Sequence, residues 1–233
     1  MTTPCSITNA ANAERHTRTI IFSMVAPAIL NRTKSYDHGF VEGKSESALY
    51  GSYVTLWAEL VCTGKIDNME RLMQRSKRIA KHQKNIEIAL KQYRTMKMLH
   101  KTMAKTFRPS RSFARFVLFA DRRYRTVDYS WVKIDFVRCA CQTLMDQLRL
   151  LLPRSGDLSS LLFEFPVSSG TYNGRVDVYC PITKTVIEVK TSRHIVTKCA
   201  FAQLAIYAQI LHAKKAFLLN TVDGSVFELI NLG

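Results

Sequence analysis

The spacing of apolar side chains changes part-way along the chain, from a helical period to a strand period. Between residues 46 and 62, Leu49, Tyr53, Leu56, Trp57 and Leu60 recur at helical spacing, and Gly64 supplies a stop, which predicts one helix. Residues 67–106 hold no proline and are rich in helix formers, so they predict one long or two shorter helices. Ile79, Ile86, Leu90, Tyr93 and Met96 form the apolar stripe of that stretch. Pro109 and its serines mark a loop, and residues 115–120 (RFVLFA) predict a short strand. Residues 132–152 carry Ile134, Val137, Cys141, Leu144, Leu148 and Leu151 along one side, a further amphipathic helix that PRSGD then breaks.

Beyond that break the alternation becomes two-fold. Residues 161–167 (LLFEFPV), 174–180 (GRVDVYC) and 185–191 (TVIEVKT) predict strands, the last two joined by a tight turn over 181–184. Residues 198–212 are apolar on all sides, as a well-buried helix is. Residues 216–220 and 225–230 form a closing hairpin about Asp223–Gly224. At the other end, residues 1–18 are polar and read as a flexible N-terminus, whereas 19–30 (TIIFSMVAPAIL) read as a buried segment too short to span a bilayer. The expected organisation is therefore a single α/β domain over 19–233. It is mainly helical over 19–157, with a small mixed sheet flanked by helices over 158–233.

Composition narrows the class. Hydrophobic residues make up 47% and charged residues 22% of the chain, an ordinary globular balance. No apolar run reaches bilayer length, so a soluble, intracellular protein without a membrane partner is expected. The six cysteines show no zinc spacing and read as free thiols of a reducing compartment.

Charge changes the picture more. The net charge is +16, and the span from Arg71 to Arg125 holds seventeen Lys/Arg against two acids, Glu87 and Asp121. The excess is thus local, a basic clamp over about 67–126 that includes Arg75, Arg78, Lys81, Lys84, Arg122 and Arg123. Such a concentration implies an anionic partner, nucleic acid first and an acidic membrane or protein surface second. Tyr93, Phe107, Phe113, Phe116 and Tyr124 lie among these charges and are positioned either to stack on unpaired bases or to fill a core.

Three charged residues stand where strands predict burial. Asp177 has Val176 and Val178 beside it, and Glu188 has Ile187 and Val189. A carboxylate in such a setting is costly unless paired or bound to a cation. Two carboxylates from adjacent strands can bracket a hard divalent cation such as Mg²⁺ or Mn²⁺. Lys190 follows Glu188 by two residues and so shares its face. Cation, acid pair and lysine form a minimal apparatus for phosphodiester hydrolysis; a cross-strand salt bridge on a solvated sheet uses the same residues. Gln203 and Tyr207, four apart on the buried helix, share one face.

In this order and spacing, GRVD, IEVKTS and QLAIY resemble the second, third and QxxxY motifs of the PD-(D/E)XK nuclease superfamily, in its RecB-like and lambda-exonuclease-like branch. The resemblance covers about residues 160–230. It implies a restriction-endonuclease-like core and a metal-dependent nuclease, a DNA exonuclease by preference, with a ribonuclease or an inactive nucleic-acid-binding protein as alternatives. It also implies Mg²⁺ or Mn²⁺ held by Asp177, Glu188 and the Val189 carbonyl, with Lys190 catalytic. Glu164, alone in its apolar strand, is the candidate for a supporting acid. By the resemblance Gln203 and Tyr207 would brace the site and touch the nucleic-acid backbone, although the residues alone fit a core tyrosine and a satisfied glutamine equally; Thr191 and Ser192 are further candidates for support or substrate contact. The branch's first motif is poorly matched: Gly51 fits its glycine, the ligand position falls at Thr55, and Glu46 or Glu59 are either substitutes from a neighbouring turn or, as the residues alone favour, exposed helix glutamates. Only Cys199 lies downstream of Lys190, so no iron–sulfur cluster is expected.

Overall fold

A computed structural model describes residues 5–6, 22–24, 44–65, 134–152, 158–169, 172–192 and 198–230. The basic clamp, with Arg75, Arg78, Lys81, Lys84, Arg122 and Arg123, and the expected strand over 115–120 lie outside these residues.

In chain order the elements are β1 (Cys5–Ser6), β2 (Phe22–Met24), α1 (Lys44–Thr63), α2 (Ile134–Leu151), a 3₁₀ turn (Leu158–Ser160), β3 (Leu162–Ser169), β4 (Tyr172–Cys180), β5 (Thr185–Lys190), α3 (Lys198–Ile210), β6 (Lys215–Asn220) and β7 (Val226–Leu229). They form a mixed sheet of order β1-β4-β5-β6-β7-β2, with β3 also paired to β4. Strands β5 and β6 run parallel and are joined through α3, while β3–β4, β4–β5 and β6–β7 are antiparallel. The fold is α/β, as the sequence predicts. The two shortest strands were not expected. β1 falls within the polar opening segment and pairs with Tyr172 and Asn173. β2 falls within the apolar segment 19–30 and pairs with β7.

Each face of the sheet carries its own core. Ile187 and Val189 of β5, with Phe217 and Leu219 of β6, pack against α1 and α2. Val186, Ala216 and Leu218 point the other way, into α3 with Leu204 and Tyr207. Period-two alternation produces this division. In α2, Val137, Cys141, Leu144 and Leu148 repeat at three and four residues and are fully buried. Helix α1 ends where Gly64 adopts φ 67°, a left-handed cap in which its N–H reaches the Leu60 carbonyl at 3.1 Å. Leu148 is 0% exposed at the centre of the α1–α2 core. Leu148→Ala is therefore expected to lower unfolding free energy by about 2–5 kcal/mol, measured by chemical denaturation.

The β3–β4 hairpin does not keep one face throughout. Leu161 and Phe163 join the α1–α2 core, whereas Phe165 and Val167 join the α3 core. On β4, Cys180 and Val178 join the first core and Val176 the second. Residues two apart share a face in a regular strand, so the hairpin changes sides between 163 and 165 and between 176 and 178. Glu164 and Asp177 stand at that change. Glu164 adopts φ 48°, a left-handed conformation uncommon for a side chain of this size.

Candidate active site

The change of side coincides with the parting of two strands. The β4–β5 pairing runs from Cys180–Thr185 to Val178–Ile187 and stops there. Beyond it, the Val189 N–H no longer faces a β4 carbonyl. It donates instead to Asp177 Oδ2 at 2.7 Å. A buried backbone donor needs a partner, and this carboxylate supplies one where the ladder ends.

Glu188 and Lys190 point to the same side of β5, as period two requires. Lys190 Nζ donates to Glu188 Oε1 at 2.7 Å and lies 3.5 Å from Gln203 Oε1. Gln203 Nε2 donates to the Tyr207 hydroxyl at 3.0 Å. That same hydroxyl accepts the backbone N–H of Arg175 at 3.2 Å. Arg175 stands opposite Pro166 on β3. Helix α3 thus ties β4 and β5 together through Gln203 and Tyr207. Removing the hydroxyl leaves a shielded N–H unmatched, so Tyr207→Phe is expected to cost about 1–3 kcal/mol and to speed amide exchange at Arg175, read by hydrogen exchange.

The electrostatics follow from burial. Glu188 is 2% exposed. Burial first, then the Asp177 charge, push its carboxyl up to about 8; Lys190 offsets part of this and Glu164 adds to it. Burial also raises Asp177, against the pull of Lys190 and the Val189 N–H. Burial opposes charge on Lys190, but Glu188 and Asp177 outweigh it and raise the ammonium above its ordinary value. The Tyr207 hydroxyl is raised by burial and then by Glu188. Glu188 Oε2 is buried and has no hydrogen-bond partner among the described residues. An acceptor in that state can hold its own proton, take a water, or face a cation.

Asp177, Glu188, Lys190, Glu164, Gln203 and Tyr207 are therefore brought into one electrostatic cluster. Within β5, Lys190 directs its carbonyl to the Thr221 N–H on the β6 side. Successive carbonyls alternate edges, so that of Val189 faces the β4 side, where its N–H meets Asp177. Two oxygen side chains and this carbonyl are the groups able to hold a hard cation. Among the described residues, no group of three or more His, Cys, Asp or Glu side chains is arranged to hold a metal ion.

Other expected residues sit differently. Thr191 Oγ1 lies 2.9 Å from Thr221 Oγ1, and the Ser192 carbonyl accepts from Asn220 Nδ2 at 3.0 Å. Both are engaged by the turn after β6. A Cβ at Gly51 would stand 3.9 Å from Thr191 Oγ1, so α1 crosses the end of β5 there. The Thr55 hydroxyl donates to the Gly51 carbonyl at 3.0 Å. Glu59 is buried, at 5% exposure, but lies eight residues past Gly51, about 12 Å along the helix axis. Glu46 belongs to the first turns of α1.

Sequence reasoning missed Arg175, although its place two residues before Asp177 was a usable signal. It also missed Asn220 and Gln147. Gln147 Nε2 donates to the carbonyls of Asn220 and Ser225, at 3.3 and 3.4 Å, and so anchors the turn beside the site. No helix among the described residues is long and apolar enough to cross a membrane. No family model, curated protein or solved structure matches this chain.

Proposed function

We propose that the chain is a Mg²⁺- or Mn²⁺-dependent nuclease of the PD-(D/E)XK type, with a restriction-endonuclease-like core, acting on DNA and preferentially from its ends. The observation that carries this reading is the meeting of Asp177, Glu188 and Lys190 where β4 and β5 part, with one Glu188 oxygen unmatched among the described residues. When both are ionised, the half-buried Asp177 and the buried Glu188 carry one charge more than Lys190 offsets, a deficit that a divalent cation corrects. The preference for DNA ends rests on the resemblance of GRVD, IEVKTS and QLAIY to the QxxxY branch. The local charge of the clamp supports a polynucleotide as substrate.

Asp177, Glu188 and the Val189 carbonyl are the groups that would hold the cation. When bound, it supplies Lewis acidity toward phosphate oxygens and water. Lys190 holds the attacking water and donates to a phosphate oxygen as charge builds there. Gln203 fixes the ammonium from the α3 side, and Tyr207 fixes Gln203. Asp177 keeps β5 at the distance this arrangement needs.

A second reading, a polynucleotide-binding protein without turnover, is favoured by α1. One turn past Gly51 that helix offers Thr55, whose hydroxyl is spent on its own backbone, rather than an acid.

Digestion of end-labelled linear DNA, circular DNA and RNA with Mn²⁺ separates these readings. Asp177→Asn is the informative variant, since an amide oxygen can still accept from Val189 while the charge is gone. Loss of cleavage with retained folding supports the nuclease. Wild type that binds every polynucleotide and cuts none selects the second reading, and preferential cutting of RNA reassigns the substrate.

A further inference from the structure

Lys190 is committed to Glu188 at 2.7 Å, but a second cation of the cluster is not held in this way. Arg175 lies two residues before Asp177 on β4, and its side chain is 39% exposed. Its ion-pair contact with Glu164 Oε2 is 3.9 Å long, at the outer limit of such contacts. A pair of this length and exposure contributes little to stability and exchanges readily. The backbone of Arg175 is, by contrast, fixed, because its N–H is held by Tyr207. The guanidinium is therefore a loosely held head on a firmly held stem.

Glu164 is held at some conformational expense. Its φ of 48° in mid-strand is a strained state that persists only where surrounding structure enforces it. Pairing across β3–β4 continues on both sides, at Phe163–Val178 and Phe165–Val176, so the enforcement comes from the hairpin itself. Its carboxylate lies close enough to the centre of the cluster for its charge to be felt at Glu188. Glu164 therefore interacts both with a part-exposed guanidinium and with the buried carboxyl of Glu188.

We propose that Arg175 is a phosphate-contacting residue of the site, and that Glu164 restrains its guanidinium until a polynucleotide phosphate takes the carboxylate's place. This rests on the polynucleotide reading above. A guanidinium presents paired N–H donors that match carboxylate and phosphate oxygens alike, so one anion can replace the other without moving the backbone.

The test is binding of a fluorescein-labelled single-stranded oligonucleotide to the full chain in EDTA, over a salt series, so that neither cation nor turnover enters. Arg175→Ala is expected to weaken binding about tenfold near 0.1 M salt and to flatten the slope of log K against log salt by about 0.7. Arg175→Lys is expected to keep most of that slope, because the charge remains. Glu164→Gln, which releases the guanidinium, is expected to bind more tightly than wild type. Thermal melts check folding, and Arg175→Gln replaces the alanine variant if that one fails to fold. An unchanged slope in the variants lacking the charge overturns the proposal. So does weakening by Glu164→Gln equal to that by Arg175→Ala, which would mark the pair as structural. Wild type that neither binds nor cleaves any polynucleotide instead removes the nuclease reading, and this proposal with it.

Discussion

Lys190→Ala is expected to reduce turnover on DNA by on the order of 10²–10³-fold while leaving oligonucleotide binding in EDTA nearly unchanged. In the proposed nuclease the lysine would act on charge that develops during reaction, so its loss would fall on turnover rather than on binding. The same variant should bind Mn²⁺ more tightly. Removing the ammonium frees Glu188 Oε1 and lifts a positive charge from beside Glu188 and Asp177. Calorimetric titration with Mn²⁺ and steady-state kinetics on one preparation read both effects. Opposite movements of cation affinity and turnover are hard to obtain from a merely damaged fold. A variant that keeps wild-type turnover rules out Lys190 as the catalytic lysine.

Glu188→Gln is expected to do the reverse to stability. Without divalent cation, the amide should be more stable than wild type by about 2 kcal/mol at pH 8, a rise in melting temperature of about 4–8 °C. The sign follows from the raised carboxyl. Its folded value is about 8, above the ordinary 4.5. The folded state thus favours the protonated acid, and the stability this gives is present at low pH. It is lost as pH climbs from about 4.5 through about 8. Over that window Glu188 contributes a fall in the wild-type melting temperature, and the glutamine variant lacks that contribution. Adding Mn²⁺ should then stabilise wild type, because the ion takes the proton's place, and leave the variant nearly unmoved. Melting curves at several pH values, with and without Mn²⁺, check both halves. A glutamine variant that Mn²⁺ stabilises as much as wild type removes Glu188 from the donor set.

The elements nearest this chemistry were the most legible. The hairpin of β4 and β5 follows from alternating side chains on either side of a four-residue turn, and α3 from an unbroken apolar run. Glu188 and Lys190 stood out because charge at period two in an apolar strand needs an explanation, whatever that explanation is. Two residues of β1 and three of β2 carry no periodicity to detect; their partners in β4 and β7 define them. The turned backbone of Glu164 had no signature either, since left-handed φ is ordinarily marked by glycine or asparagine. Thr191 and Ser192 looked like substrate contacts because they follow Lys190. Their partners, Thr221 and Asn220, lie some thirty residues further on, beyond the reach of local pattern. Gln147 bonds across 73 residues for the same reason.

Asp177 closes the end of the ladder as well as standing among the acids, and these two duties differ in what they tolerate. An asparagine can perform the first but not the second, whereas alanine can perform neither. The Lys190 side chain, 31% open to solvent, serves another side chain rather than the sheet: it pairs with Glu188 and offsets that acid's burial. In any lineage of this chain released from selection at this site, the lysine is accordingly free to drift once Glu188 has become neutral. Residue 177 would remain an aspartate or become an asparagine, kept by the needs of the sheet.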